Sequence, residues 1–183
     1  VDESVGEKLY AQAGEFFTKH PLGKDFHLTY RIPAIDPERT HRLGRAFMNV
    51  LAMADLAQEV GAPQPPVTEL FLPMVTKAEE PILARQKFCE VAQYYQEVFH
   101  ASKQDYAPLD QLRVTPLVED VTSMLSIEDI VRPYWQSLID DGVDVTQHGL
   151  RLFLARSDPA LNSGMVAAVL AVKVAMSEAQ RIA

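Results

Sequence analysis

The chain contains Arg113-Val114-Thr115-Pro116-Leu117-Val118-Glu119-Asp120, a short apolar run that ends on two carboxylates. A run of this length and composition is typical of a buried β-strand. Similar runs recur along the chain, with starts roughly 40 residues apart and a helical pattern in each interval. Strands that alternate with helices in this way predict βαβ units, an α/β fold and a parallel sheet. The other three predicted strands are Phe26–Tyr30, Thr68–Leu72 and Leu150–Ala155.

Helix boundaries can also be predicted from the sequence. Gly61 is placed to end the helix after the first strand, because glycine favours the left-handed conformation common there. Ahead of that strand, the pattern from Glu7 to Lys19 predicts a further helix that buries Leu9, Phe16 and Phe17. We therefore expect an N-terminal helical segment over residues 1–24 and four β/α units over residues 25–183. The four helix starts carry a capping residue near a Pro or an acid: Asp36-Pro37-Glu38, Thr76-Lys77-Ala78-Glu79, Ser126-Ile127-Glu128-Asp129 and Asp158-Pro159, the last leading toward Ile182.

Composition and charge narrow the classes of function. The 183 residues are 48% hydrophobic, which is enough for a core, and they carry a net charge of −8. That charge disfavours nucleic acid and anionic membrane surfaces as partners. Cys89 is the single cysteine, so no disulfide framework is expected within the chain and the interpretation is a cytoplasmic protein. No apolar run approaches the 18 or so residues of a membrane span.

Four β/α units correspond to half of an eight-fold barrel, which usually needs about 250 residues. Two folds fit this count, a small open α/β sheet and a part of a TIM (β/α)8 barrel. The chain begins at Val1 without an initiator Met or a signal peptide, so we expect it to start inside a longer protein.

Charged residues follow three of the four predicted strands. Arg31 comes after the first, Glu119 after the third, and Arg156 and Asp158 after the fourth. In parallel α/β folds, functional groups collect at the carboxyl ends of the strands. Two carboxylates there suit Mg²⁺, which prefers oxygen ligands, and arginines beside them suit an anionic substrate. The pattern favours a metal-assisted enzyme acting on a small phosphorylated or carboxylated acid.

Each of these residues also has a purely structural interpretation. A charged residue after a strand is often a helix cap or a solvated loop residue, and Asp158 before Pro159 fits an N-cap well. Arg31 equally fits a simple ion pair with a nearby acid. The position of these residues in the sequence leaves both interpretations open.

Four motifs, in order and at matching spacing, resemble segments of archaeal-type phosphoenolpyruvate carboxylases. The longest of them runs from Arg151 to Met165 and contains Arg156-Ser157-Asp158-Pro159. The resemblance covers nearly the whole chain, from about Leu9 to Ala183. The other three motifs are Leu28-Thr29-Tyr30-Arg31-Ile32-Pro33, Leu72-Pro73-Met74 and Val114-Thr115-Pro116-Leu117-Val118-Glu119-Asp120.

The resemblance implies a lyase that joins phosphoenolpyruvate to bicarbonate and gives oxaloacetate and phosphate, with Mg²⁺ or Mn²⁺ as cofactor. It implies that Glu119 and Asp158 hold the metal and that Arg31 and Arg156 bind the substrate and take part in catalysis. It also implies a TIM barrel and a homotetramer. The family's catalytic histidine segment and its downstream arginine-glycine segment have no counterpart here, so this chain alone is expected to lack the full catalytic set.

Two alternatives remain at this stage. One is a Mg²⁺-dependent aldolase or lyase of the phosphoenolpyruvate/pyruvate barrel group, which also uses a Glu, an Asp and an arginine at strand ends. The other is a non-catalytic truncated fragment, because half a barrel leaves sheet edges uncovered.

Overall fold

The computed structural model describes residues 4–36, 38, 40–99, 109 and 111–182. Four strands form a parallel sheet in the order β1-β2-β3-β4. The strands are β1 (Tyr30–Arg31), β2 (Glu69–Leu72), β3 (Arg113–Val118) and β4 (Phe153–Leu154). The helices are α1 (Val5–Lys19), α2 (Thr40–Glu59), α3 (Glu79–Phe99), α4 (Val121–Leu125), α5 (Ile127–Asp140), α6 (Val145–His148), α7 (Ser157–Ser163) and α8 (Met165–Ile182). Within the described part of the chain, no helix combines the length and apolar character that crossing a membrane requires.

The chain divides into two compact units, Val1–Leu70 with Arg85–Arg113 and Phe71–Ala84 with Val114–Ala183. In the first unit, α1 packs on α2 around the buried side chains of Tyr10, Leu22 and Ala57. Phe47 of α2 and Phe88 of α3 meet edge to face at 5.4 Å between ring centroids. Aromatic pairs in this arrangement stabilise a core beyond the area that they bury.

The second unit is built around β3 and β4, with α8 in contact with α4, α5 and α7. α8 approaches its neighbours closely because its buried residues are small: Ala168, Ala171 and Ala175. Tyr134 of α5 is fully buried, and its hydroxyl accepts a hydrogen bond of 2.8 Å from the backbone N–H of Val114. This bond fastens α5 to the start of β3 and gives the buried phenol a hydrogen-bond partner.

The predicted order of elements is confirmed. The four strands lie in chain order, and β3 spans Arg113–Val118 as predicted. The N-terminal helix is present, and α2 ends two residues before Gly61, which has a φ of +75°. The capping box predicted from Thr76 to Glu79 is wrong in its acid and its position, because α3 begins at Glu79 and Glu80 accepts the N–H of Thr76, at 2.7 Å. Glu80 thus reaches back from the first turn of α3 and pairs a backbone N–H of the loop before the helix.

The first and last predicted strands were wrong in their bounds. The segment Phe26–Tyr30 contributes only Tyr30 to β1, because the chain turns just before it and the Phe26 ring packs against those of Phe16 and Phe17. Phe16 itself is exposed rather than buried. The segment Leu150–Ala155 contributes only β4, because α6 reaches His148 and ends on Gly149.

The predicted helices after β3 and β4 are each divided. Asp120 starts the short α4 before α5 begins at Ile127, so the Ser126 start belongs to the second of two helices. The helix predicted from Asp158 to Ile182 is split into α7 and α8 at Gly164, whose φ of +86° and ψ of 154° leave the helical region. The predicted start Asp36-Pro37-Glu38 includes residue 37, which lies outside the described residues. Asp36 Oδ1 accepts the N–H of Glu38 at 2.9 Å, and α2 begins at Thr40.

Candidate active site

The carboxyl ends of β3 and β4 form the centre of the candidate site. The two strands are parallel, with Leu117 opposite Phe153 and Val118 opposite Leu154. The backbone N–H of Ala155 donates to the carbonyl of Val118 at 3.0 Å, so the pairing continues to the last residue of β3. Glu119 and the segment that leads to Asp158 therefore leave the same edge of the sheet, from neighbouring strands.

Glu119 follows β3 directly and is half-buried. Its Oε2 accepts a hydrogen bond of 2.9 Å from the backbone N–H of Met74, in the loop between β2 and α3. A backbone donor of this kind limits the orientations that the carboxylate can take. The side chain of Met74 is 67% exposed, so its contact with Glu119 runs through the backbone.

Asp120, the other carboxylate after β3, has a structural role. It is the N-cap of α4, and its Oδ1 accepts the backbone N–H of Ser123 at 2.8 Å. Glu119 and Asp120 are thus adjacent in sequence but bind different partners. Of the two carboxylates at this strand end, Glu119 is therefore the one that remains a candidate ligand.

Asp158 lies in the first turn of α7 and is exposed. The expected N-cap role is wrong, because α7 begins one residue earlier and Arg156 occupies the N-cap position. The Oδ2 of Asp158 instead accepts a hydrogen bond of 3.1 Å from the hydroxyl of Ser157. Pro159 is buried beneath this turn, while the carboxylate remains accessible to solvent.

The two arginines lie in different units. Arg156 follows β4 in the same unit as Glu119 and Asp158, whereas Arg31 belongs to the unit that contains β1. Arg31 was expected after its strand, but it is the second residue of β1. Both side chains are exposed, and neither forms an ion pair with another described residue. Their guanidinium groups are therefore available to an anion.

The carboxylates at this edge match the donor chemistry of Mg²⁺. Mg²⁺ is usually held by one or two carboxylates, with water and substrate oxygens as its remaining ligands. Across the described residues, no group of three or more His, Cys, Asp or Glu side chains forms a metal-binding cluster. These residues therefore contain no site made only of protein ligands. The two carboxylates present, those of Glu119 and Asp158, fit a metal ion for which water and substrate supply most of the ligands.

Sequence reasoning missed the contribution of the second strand end. Pro73-Met74-Val75-Thr76 carries no charge, so a search for charged residues passes over it. The structure shows that this loop supplies a backbone N–H to Glu119. Backbone donors are present at almost every residue, and only the local conformation reveals which of them points at a functional group.

A separate polar pocket lies within the first unit. It has a volume of about 400 Å³ and is lined by Glu7, Asn49, Asp55, Glu59 and Tyr95, among others. The Tyr95 hydroxyl donates a hydrogen bond of 2.6 Å to Oδ2 of Asp55. Burial and this contact with Asp55 raise the pKa of Tyr95 to about 12. The pocket contains none of the candidate site residues, which are Arg31, Glu119, Arg156 and Asp158.

Comparisons with known proteins identify relatives along the whole chain. A family model described as phosphoenolpyruvate carboxylase matches residues 1–183. The phosphoenolpyruvate carboxylase of Oenococcus oeni is 31% identical over 177 residues, which cover 97% of this chain and 34% of the relative. The phosphoenolpyruvate carboxylase of Metallosphaera sedula is 32% identical over 200 residues, which cover 100% of this chain and 36% of the relative. The phosphoenolpyruvate carboxylase of Halobacterium salinarum is 35% identical over 198 residues, which cover 96% of this chain and 37% of the relative. The chain spans about a third of the length of these curated relatives.

Proposed function

The chain belongs to the phosphoenolpyruvate carboxylase family, and we propose that its full-length protein joins phosphoenolpyruvate to bicarbonate, giving oxaloacetate and phosphate. The family match over residues 1–183 is the observation that carries this proposal. It confirms the resemblance that four short motifs predicted. The arrangement of Glu119 and Asp158 after two paired parallel strands supports the same function, because it offers oxygen donors where this type of sheet places its functional groups.

Glu119 and Asp158 would hold the Mg²⁺ or Mn²⁺ ion in this proposal. The ion supplies Lewis acidity, which stabilises negative charge on a substrate oxygen. The contribution of the chain is to present two carboxylates from one sheet edge. The Met74 N–H already orients one of them, so less conformational freedom has to be lost when a ligand binds.

Arg31 and Arg156 would bind the anionic substrate. A guanidinium can hold a phosphate or a carboxylate with two parallel hydrogen bonds. In the proposed reaction, a bicarbonate oxygen attacks phosphorus and the enol oxygen leaves, which gives carboxyphosphate and an enolate. Negative charge moves across the phosphoryl group in that step, and fixed guanidinium donors stabilise it without having to reorient. Carboxyphosphate then loses phosphate, and the carbon dioxide released is captured by the enolate carbon.

The sheet is proposed to be half of a TIM (β/α)8 barrel. Its support is the parallel order β1-β2-β3-β4, which consecutive β/α units produce through right-handed crossovers. The relatives are about three times as long as this chain, which leaves ample length for the other strands. A homotetramer in the cytoplasm also belongs to the proposal, and light scattering and cell fractionation of the full-length protein measure these two properties.

A substrate assay tests the proposed function. The full-length protein is supplied with phosphoenolpyruvate, ¹³C-labelled bicarbonate and Mg²⁺, and oxaloacetate is detected by its reduction to malate. We expect labelled oxaloacetate and one phosphate for each turnover. Cleavage of a malyl or citryl thioester, without oxaloacetate formation, would instead assign the protein to the aldolase or lyase alternative.

A further inference from the structure

Met74 has an unusual backbone conformation. Its φ is +58°, and among the described residues it is the one non-glycine residue with a positive φ. Side chains disfavour this left-handed region because Cβ crowds the backbone, and strained residues of this kind cluster at functional sites. The flexibility of glycine is absent here, so the surrounding structure must hold Met74 in place.

The conformation has a direct consequence for two neighbouring hydrogen bonds. The N–H of Met74 donates to Oε2 of Glu119 at 2.9 Å, and the N–H of Val75 donates to the carbonyl of Leu117 at 3.0 Å. In an extended strand, successive N–H groups point to opposite sides, so two consecutive residues do not both donate to the same neighbouring segment. The φ and ψ of Met74 are the torsions between these two N–H groups, and the left-handed turn directs both toward the end of β3.

We propose that Met74 is a positioning residue, whose N–H holds the Glu119 carboxylate in the orientation that binds the divalent cation. This inference rests on the proposed function, since it presupposes that Glu119 is a metal ligand. The hydrogen bond occupies Oε2 and leaves Oε1 with no hydrogen-bond partner among the described residues. The side chain of Met74 is not the active part, because it extends into solvent.

An amide-to-ester replacement isolates the N–H group. Two versions of the full-length protein are compared, one with Met74→Leu and one with the α-hydroxy acid analogue of leucine at position 74. They have the same side chain and differ in a single backbone group, N–H against oxygen. Calorimetric titration with Mn²⁺ alone is expected to show about tenfold weaker binding for the ester, because a hydrogen bond to a charged group is lost. Binding by the ester that is as tight as in Met74→Leu, or tighter, overturns the proposal.

Met74→Gly provides a second test that does not depend on the ester. Glycine keeps the N–H and adopts a positive φ readily, so Mn²⁺ affinity is expected to stay within about twofold of the wild type. If the Mn²⁺ affinity of Met74→Gly fell by about tenfold, the side chain rather than the N–H would position Glu119, and the proposal would be overturned.

Glu119→Gln, titrated in parallel, separates this inference from the proposed function. Unchanged Mn²⁺ affinity in Glu119→Gln would remove Glu119 from the metal site, and both proposals about Glu119 would fall together. Weakened binding in Glu119→Gln with unchanged binding in the ester would reject only the role of Met74.

Discussion

Asp120 Oδ1 accepts a hydrogen bond from the backbone N–H of Ser123 at 2.8 Å, and this contact caps the first turn of α4. The preceding residue, Glu119, directs its carboxylate to the N–H of Met74 instead. Two carboxylates that are adjacent in the sequence therefore have separate tasks. One stabilises a helix, and the other accepts a backbone hydrogen bond at the strand edge.

Replacing the cap should affect stability and leave catalysis intact. Asp120→Ala removes the acceptor for the Ser123 N–H, so we expect the free energy of unfolding to fall by about 1 kcal/mol. Asp120→Ser is the matched control, because serine also caps helices well and should retain most of the stability. Chemical denaturation of the full-length protein measures both variants. A loss of activity in a folded Asp120→Ser protein would show that the carboxylate does more than cap α4.

Arg31→Ala should reduce catalysis while preserving the fold. A fixed guanidinium that stabilises transition-state charge is typically worth about 10²-fold in turnover, so we expect a loss of that order. Steady-state kinetics with phosphoenolpyruvate measure it. Arg42→Ala is the control, since Arg42 is an exposed arginine of α2 in the same unit. Near-normal kcat/KM in Arg31→Ala would remove Arg31 from the substrate site.

The pKa of Tyr95 predicts a specific alkaline destabilisation. Because its pKa is raised from 10.0 to about 12 in the folded protein, the neutral phenol stabilises the fold. That stabilisation is fully present below pH 10 and is lost as the pH rises toward 12, where the unfolded state binds fewer protons than the folded state. Tyr95→Phe should therefore lose less stability than the wild type over this pH range.

Thermal unfolding at a series of alkaline pH values measures this difference. Tyr94→Phe is the matched control, because Tyr94 is the neighbouring residue and its side chain is 67% exposed. It should follow the wild-type curve. Identical pH dependence in wild type and Tyr95→Phe would contradict the expected contribution of the Tyr95–Asp55 hydrogen bond.

The left-handed conformation of Met74 predicts a difference between two isomeric side chains. β-branched residues are strongly disfavoured at positive φ, whereas unbranched side chains are tolerated better. Met74→Ile should therefore be less stable than Met74→Leu, by about 1 kcal/mol. The comparison of unfolding midpoints needs no assumption about catalysis. Equal stability of the two variants would mean that the loop does not hold position 74 at a positive φ.

The accuracy of the sequence predictions followed the degree of burial. Arg113–Val118 was predicted to the residue because all but its first residue are buried, so that apolar character and strand length coincide. The prediction of a strand over Phe26–Tyr30 failed because aromatic residues occur both in strands and in small surface clusters. Here the Phe26 ring packs against those of Phe16 and Phe17. A local pattern does not distinguish between these two outcomes.

The candidate site was predictable only where it consists of charged side chains. Glu119 and Asp158 could be selected because they follow strands, and the segments that carry them leave β3 and β4 at a common edge. The Met74 hydrogen bond could not be predicted, because its donor is a backbone group and its conformation is atypical for methionine. The helix-cap interpretation of Asp158 failed for a related reason, since α7 starts two residues earlier than an N-cap at Asp158 would require.

Mn²⁺ binding by the full-length Asp158→Asn protein tests the central claim most directly. Asparagine keeps the shape of the side chain but removes the negative charge, so we expect Mn²⁺ affinity to fall by about tenfold or more, without loss of the fold. Asp129→Asn is the matched control, because Asp129 is also an exposed acid in the first turn of a helix, α5, and its variant should bind as the wild type does. Calorimetric titration that gives wild-type affinity for Asp158→Asn would contradict the account.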